Sequence, residues 1–167
     1  QNLSHNGGHF AEKLQRLDGM LGEVFDEVDK LGIAENTVIV LMADNGLMHL
    51  YPSYTTGLNQ LIYRGGKTDH LEGGIRVDAF VRWPGVIKAG SAAGDIVHVS
   101  DLYTTFARLG HATEHIPADR VIDGIDQTAL LLNGEHHGRR DYVYIYENEI
   151  LRSIVKQEFK MHVPAPG

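Results

Sequence analysis

The sequence predicts an α/β fold that ends in a small antiparallel sheet, and three observations carry this. A helix-periodic stretch feeds an unbroken apolar run at residues 38–42. A helix followed by a strand of that kind is the signature of α/β architecture. After Arg140 the texture changes to three short strand-like runs, 142–146, 151–155 and 159–163, separated by polar turns. Between the two lies a long glycine-punctuated loop, from Asp44 to Gly74.

Each element has its local reason. In AEKLQRLDGMLGEVFDEVDKLG the residues Leu14, Leu17, Leu21, Val24, Phe25, Val28 and Leu31 recur at spacings of three and four. That is the period of an amphipathic helix, and Gly32 stands where a C-terminal glycine cap belongs. Residues 38–42 are rich in β-branched side chains without alternation, as in a strand buried on both faces. The loop carries Gly46, Pro52, Gly57, Gly65-Gly66 and Gly73-Gly74. A loop of this length inside a compact domain is usually functional or disordered. Residues 75–83 read as a second strand, ended by Pro84-Gly85. Ser100 or Asp101 can cap a short helix that stops at Gly110, and DQTALLLNG is another. A subdomain boundary near 133–140 divides the chain into 1–134 and 135–167.

Bulk properties exclude several classes. At 167 residues the chain is long enough for one domain with a real core or for a piece of a larger one, and apolar residues at 43% with charged residues at 22% place it among globular proteins. Acidic residues outnumber basic ones, 22 to 15, for a formal charge of −7. Phosphate neutralisation needs clustered Lys and Arg, and Arg139-Arg140 is the longest such cluster, so no nucleic-acid partner is expected. No apolar run reaches the ~20 residues of a membrane span. The absence of cysteine removes disulfides, thiolate metal sites and a cysteine nucleophile.

Two residue sets could carry chemistry. Asp44 and Asn45, at the end of the apolar run, offer two hard oxygen ligands of the kind Ca²⁺ or Mg²⁺ takes. The carboxyl end of a strand is also where open α/β sheets bind ligands. Asn45-Gly46 between apolar runs is equally a hairpin signal, and both readings stand on local pattern. Against the hairpin, residues 38–42 do not alternate and Pro52 cuts the second run short. His49 lies near enough to Asn45 to reach the same site. The second set is RGGKTDHLEGGIRV, in which flanking glycines let backbone approach a ligand and Lys67 offers a point charge to a tetrahedral anion. It is not a phosphate-binding loop of the Walker type, because the spacing is wrong. Glu72 and Arg76 can form an ion pair of purely structural use.

Together these pieces resemble the sulfatase family of the alkaline-phosphatase superfamily. The resemblance rests on LQRLDGMLGEVFDEVDKLGIAENTVIVLMADNG, GGKTDHLEGGIRV, VRWPGVIKAGS, HVSDLYTTFARLG and VIDGIDQTALLLNG, which follow one another in the family's order. The strands of VYIYENEILRSIVKQEFKMHV match more loosely. The fold implied is part of an alkaline-phosphatase-like sandwich, a mixed sheet flanked by helices, followed by the antiparallel sheet. By resemblance Asp44 and Asn45 match the family's metal pair, usually on Ca²⁺, and Lys67 matches the lysine that contacts the sulfate group. A cation and a lysine together would offset charge on the sulfuryl oxygens as the ester bond breaks. The implied substrate is a sulfate ester, a small molecule or a sulfated glycan.

The departures are equally informative. Family catalysis uses a formylglycine made from Cys or Ser in a Cys/Ser-x-Pro-x-Arg motif, and neither the motif nor any Cys occurs here. The family's paired N-terminal aspartates are also missing, while Asp78 and Thr104 stand where proline is usual. The expectation is therefore the C-terminal part of a sulfuric ester hydrolase, with the nucleophile upstream. By itself this chain should hydrolyse no sulfate ester, and its open strand edges should favour self-association. A phosphate or phosphonate ester hydrolase of the same superfamily, and a non-catalytic metal- or partner-binding remnant, are the alternatives.

Overall fold

The computed structural model describes residues 8–48 and 62–164. Helix α1 (Gly8–Lys30) leads through a 3-10 turn (Ala34–Asn36) to β1 (Ile39–Met42). A single helical turn, α2 (Glu72–Ile75), precedes β2 (Ala79–Arg82). Helices α3 (Asp101–Leu109) and α4 (Thr128–Asn133) follow, with a 3-10 turn (Thr113–His115) between them. The last elements are β3 (Tyr142–Glu147), β4 (Ile150–Lys156) and β5 (Phe159–His162).

Helix α1 ends as its glycine requires. Gly32 sits at φ +68°, and the N–H groups of Gly32 and Ile33 donate back to the Asp29 and Val28 carbonyls. Of its apolar stripe, Leu21, Phe25 and Val28 are half-buried, whereas Leu14, Leu17, Met20, Val24 and Leu31 remain open. Arg82 ties the helix to β2. Its Nη2 donates to both carboxylate oxygens of Asp29, at 2.7 and 2.9 Å, and its guanidinium lies 5.6 Å from the Phe25 ring centre.

Strands β1 and β2 pair antiparallel, from Ile39 opposite Arg82 to Met42 opposite Ala79. Two expectations are corrected here. The run 38–42 is half-buried rather than covered on both faces, with Leu41 36% exposed, because β2 is its one hydrogen-bonded neighbour among the described residues. The strand expected over 75–83 is shorter, because Glu72–Ile75 closes a helical turn in which the Arg76 N–H donates to the Glu72 carbonyl at 2.8 Å. Two adjacent glycines allow that turn. Gly73 donates to the Arg64 carbonyl at 2.7 Å, and a Cβ on Gly74 would lie 2.3 Å from the Gly66 oxygen.

The second half is organised by a buried carboxylate. Ser100 occupies the cap position of α3 without a side-chain capping bond, and Asp101 turns inward, fully buried. It accepts from the backbone N–H of His98 (2.9 Å) and Ile125 (2.8 Å), from Gln127 Nε2 (3.2 Å) and from Arg140 Nε (2.9 Å). Gln127, also buried, accepts the Arg139 N–H through Oε1 at 2.9 Å, while its own N–H donates to Thr105 Oγ1. Asp95 accepts from the N–H groups of His136 and Gly138, each at 2.9 Å. Segment 133–140 is thus held by the upstream side chains of Asp95, Asp101 and Gln127, and by the Asp123 carbonyl, which accepts from Arg140 Nη2 at 2.7 Å.

The polar turns after Arg140 deliver the antiparallel order β3-β4-β5 expected from three short strand-like runs. Ile145 and Ser153, opposite each other, are buried on the inner face; Tyr142, Tyr144, Phe159 and Met161 stand exposed. Lys160 docks this sheet on the glycine-rich loop. Its Nζ donates to the His70 carbonyl at 2.7 Å and to Glu72 Oε1 at 2.8 Å.

Candidate functional site

Asp44 and Asn45 leave the end of β1. Asn45 Nδ2 donates to the Gly46 carbonyl at 2.7 Å, which leaves Oδ1 as the available acceptor. The Asp44 carboxylate is exposed and has no hydrogen bond or ion pair among the described residues. Both groups therefore present hard oxygens that no donor among the described residues satisfies.

The glycine-rich loop lies directly on this strand end. Gly46 N–H donates to the Gly74 carbonyl and Lys67 N–H to the Leu47 carbonyl, both at 2.9 Å. A Cβ at Gly46 would fall 1.7 Å from the Gly73 oxygen, so only glycine permits the approach. These bonds exclude the hairpin reading of Asn45-Gly46: β1 pairs with β2, and Gly46 is bonded to the loop. Lys67 is exposed, and no carboxylate among the described residues pairs with its ammonium. The turn after it is fixed by Thr68 at φ +79° and by Asp69, whose Oδ1 accepts the Leu71 N–H at 2.7 Å. His49 lies outside the described residues.

The donor chemistry of Asp44 and Asn45 fits an oxygen-loving cation. It is incomplete: among the described residues no cluster of three or more His, Cys, Asp or Glu side chains is placed to hold a metal. Glu72 and Arg76 do not pair with each other. Glu72 pairs with Lys160, and the Arg76 guanidinium lies 4.9 Å from the Tyr63 ring centre.

Two features escaped the sequence reading. One is the Asp101–Arg140 pair. Burial works against the charge on Asp101, but the Arg140 guanidinium and the Ile125 and His98 N–H groups outweigh it and hold its pKa below the ordinary carboxylate value. Thirty-eight residues separate the partners in sequence, and no local pattern signals them. The other is a cleft of about 570 Å³ beside the loop, lined by Thr68, Asp69, His70, Gly74 and Ile75 on one side and by Tyr146, Glu147 and Asn148 on the other. Its second wall is the β3–β4 turn, brought there only by the docking of the sheet.

Comparison with known proteins follows the same outline. The family model described as Sulfatase matches residues 6–112. Steryl-sulfatase of Rattus norvegicus is 39% identical over 150 residues, covering 88% of this chain and 26% of that protein. N-acetylgalactosamine-6-sulfatase of Mus musculus is 30% identical over 156 residues, covering 93% and 29%. Among solved structures, the PsFucS1 sulfatase from Pseudoalteromonas sp. superposes with a TM-score of 0.79 at 33% identity, over 88% of this chain and 29% of that one. The chain thus spans less than a third of the length of the relatives it matches.

Proposed function

This chain belongs to the sulfatase family, and from that premise we propose that it supplies half of a divalent-metal and sulfate-binding site to a sulfuric ester hydrolase. Residues 1–134 belong to the α/β catalytic domain in this reading, and 135–167 begin the small antiparallel subdomain. Asp44 and Asn45 Oδ1 hold one side of a Ca²⁺ or Mg²⁺ ion. Lys67 places its ammonium against the sulfuryl oxygens of the substrate. His49 is a neighbour in the same site.

The observation that carries the reading is the backbone seam between the two sets. The bonds Gly46–Gly74 and Lys67–Leu47, at 2.9 Å each, hold the lysine's backbone to the segment that bears the two oxygen ligands. A cation there would supply Lewis-acid stabilisation of charge on the ester oxygens. Lys67 binds and orients the sulfate, and its charge is worth most where the departing oxygen gains electrons. The nucleophile, a formylglycine, comes from outside these residues, since no Cys is present and no Ser lies in the required motif.

The test is kinetic, on the complete enzyme with an aryl sulfate. Lys67→Ala should lower kcat/KM by about 10²–10³-fold, the usual loss for a group that stabilises charge in the transition state. Asp44→Ala should give a form whose residual activity rises with added Ca²⁺ or Mg²⁺. Wild-type rates from Lys67→Ala would remove the lysine from the site.

A further inference from the structure

Strand β5 is inverted in polarity. Phe159 and Met161 are 77% and 58% exposed, whereas the Lys160 side chain between them is 15% exposed. Burying an ammonium is costly unless it is paired and hydrogen-bonded, so a strand that turns its lysine inward places that charge for a reason other than packing. We propose that Lys160 is a positioning residue for Lys67, clamping from the C-terminal sheet the loop that carries it. The inference rests on the reading of Lys67 as the sulfate-binding lysine and deepens it.

The clamp has two points. Lys160 Nζ donates to the His70 carbonyl at 2.7 Å and to Glu72 Oε1 at 2.8 Å. The second bond joins two ionised groups, which makes it stronger than a neutral one. His162, next on the same face of β5, sets its ring edge-on to that of His70, with centroids 5.6 Å apart. From β3, Glu147 lies 4.0 Å from His70 Nδ1. The sheet therefore meets the loop at His70 and Glu72, and Lys160 bonds to both.

From these two points short bonds within the loop reach Lys67. The Asp69 N–H donates to the Gly66 carbonyl at 3.0 Å, closing a turn whose two central residues are Lys67 and Thr68. Thr68 takes φ +79° there. A β-branched residue keeps that conformation only where its surroundings hold it. Asp69 Oδ1 accepts the Leu71 N–H at 2.7 Å, and the Leu71 carbonyl accepts the Gly74 N–H at 2.9 Å. His70 lies inside this chain of bonds, and Glu72 opens the α2 turn that follows it.

The loop's other ties, Lys67 to Leu47 and Gly74 to Gly46, fasten it to the end of β1. They hold one side of the turn, and Lys160 holds the other. Without Lys160 the loop stays attached to β1, but the turn beside Lys67 loses its far support. A displacement near 1 Å of a substrate-orienting group costs on the order of 10²-fold in rate. The consequence of losing the clamp is thus carried by Lys67.

The experiment measures kcat and KM of the complete enzyme on an aryl sulfate for Lys160→Met, Lys67→Ala and the double variant. Methionine keeps most of the apolar stem and removes the charge and the donors. Lys160→Met should lower kcat/KM about tenfold or more, divided between kcat and KM as it is in Lys67→Ala. In the Lys67→Ala background the same substitution should cost less than about twofold, because residues that act through one another are not additive. Lys160→Arg, which restores a cationic donor, should recover most of the rate, and Lys156→Met, at an exposed lysine of β4, should leave it unchanged. Glu72→Gln removes the charge from the loop side and should repeat the pattern of Lys160→Met in both backgrounds, so the test does not hang on one variant folding. A loss that persists undiminished without Lys67, or wild-type rates from Lys160→Met, would overturn the proposal and leave the sulfatase reading standing. Wild-type rates from Lys67→Ala would overturn the role of Lys67 itself, and the proposal with it.

Discussion

The region around α1, β1 and β2 and the region from Asp95 to Val163 are held by opposite means. In the first, apolar side chains lie open: Leu14, Leu17, Met20, Val24 and Leu31 along the helix, and Phe80, 64% exposed, on β2. Its visible ties are the Arg82–Asp29 pair and the Trp83 Nε1 bond to the Glu35 carbonyl at 2.8 Å. In the second, the buried groups are largely polar: Asp101, Thr104, Thr105 and Gln127 satisfy one another and the backbone, while the buried Ser153 Oγ has no hydrogen-bond partner among the described residues. The difference teaches which half carries its own organisation. Polar networks need partners placed to within tenths of an ångström, and this chain contains them. Apolar burial needs only surface, and among the described residues the first region's apolar side chains lack it.

The contrast can be broken most forcefully at Asp101. Asp101→Ala leaves the Arg140 guanidinium buried beside an absent partner and should cost about 3–5 kcal/mol, read as a fall in the denaturant midpoint. The pH dependence has a defined sign. Asp101 has a lowered folded pKa, so its contribution is fully present above the unfolded carboxylate value of about 3.9 and is lost as pH falls through the folded value. The variant should show a shallower loss of stability in that acid range. Equal slopes would mean that the pair contributes nothing there.

Gly46→Ala strikes the seam between the end of β1 and the glycine-rich loop. Its methyl would meet the Gly73 oxygen at 1.7 Å, so the loop bearing Lys67 must move. A displacement near 1 Å of a substrate-positioning group costs on the order of 10²-fold in kcat/KM, to be measured on the complete enzyme with an aryl sulfate. The open helix sharpens the contrast at lower energy. The 167-residue chain should self-associate in sedimentation, and Leu17→Lys with Met20→Lys should weaken that association about tenfold or more, given ~1.5–3 kcal/mol per fully buried apolar side chain. A monomeric wild-type chain would count against it. The smallest effect should be Arg82→Ala. Its partner Asp29 is half-exposed, and exposed pairs contribute ~0–1 kcal/mol, so thermal unfolding should barely shift.

Much of this was legible before any coordinates. The spacing from Leu14 to Leu31 and Gly32 marked α1 and its end, and the polar turns after Arg140 marked three antiparallel strands. Asp44, Asn45 and Lys67 stood out because a carboxylate and an amide oxygen at a strand end suit a hard cation and a glycine-flanked lysine offers a point charge to a tetrahedral anion. What stayed hidden was every pairing between distant segments. Glu72 looked like a partner for Arg76 four residues on, and its actual partner is Lys160. Residues 38–42 looked doubly buried because apolar content reports what a strand can cover, and not what lies beside it.

Composition and periodicity alone pointed to the α/β class, the order of the longer helices and of the strands and the absence of thiol chemistry, and they marked residues that could meet a cation and an anion. These follow from properties each residue carries with it: side-chain period, turn geometry, ligand hardness and charge. Tertiary structure alone decided that Asn45-Gly46 is not a hairpin turn, that Lys67 rides on the end of β1, and that the β3–β4 turn closes a polar cleft beside it. Those outcomes depend on hydrogen bonds and close approaches between segments far apart in the chain. Such contacts form only when the backbone folds back on itself, and no local window of sequence records them.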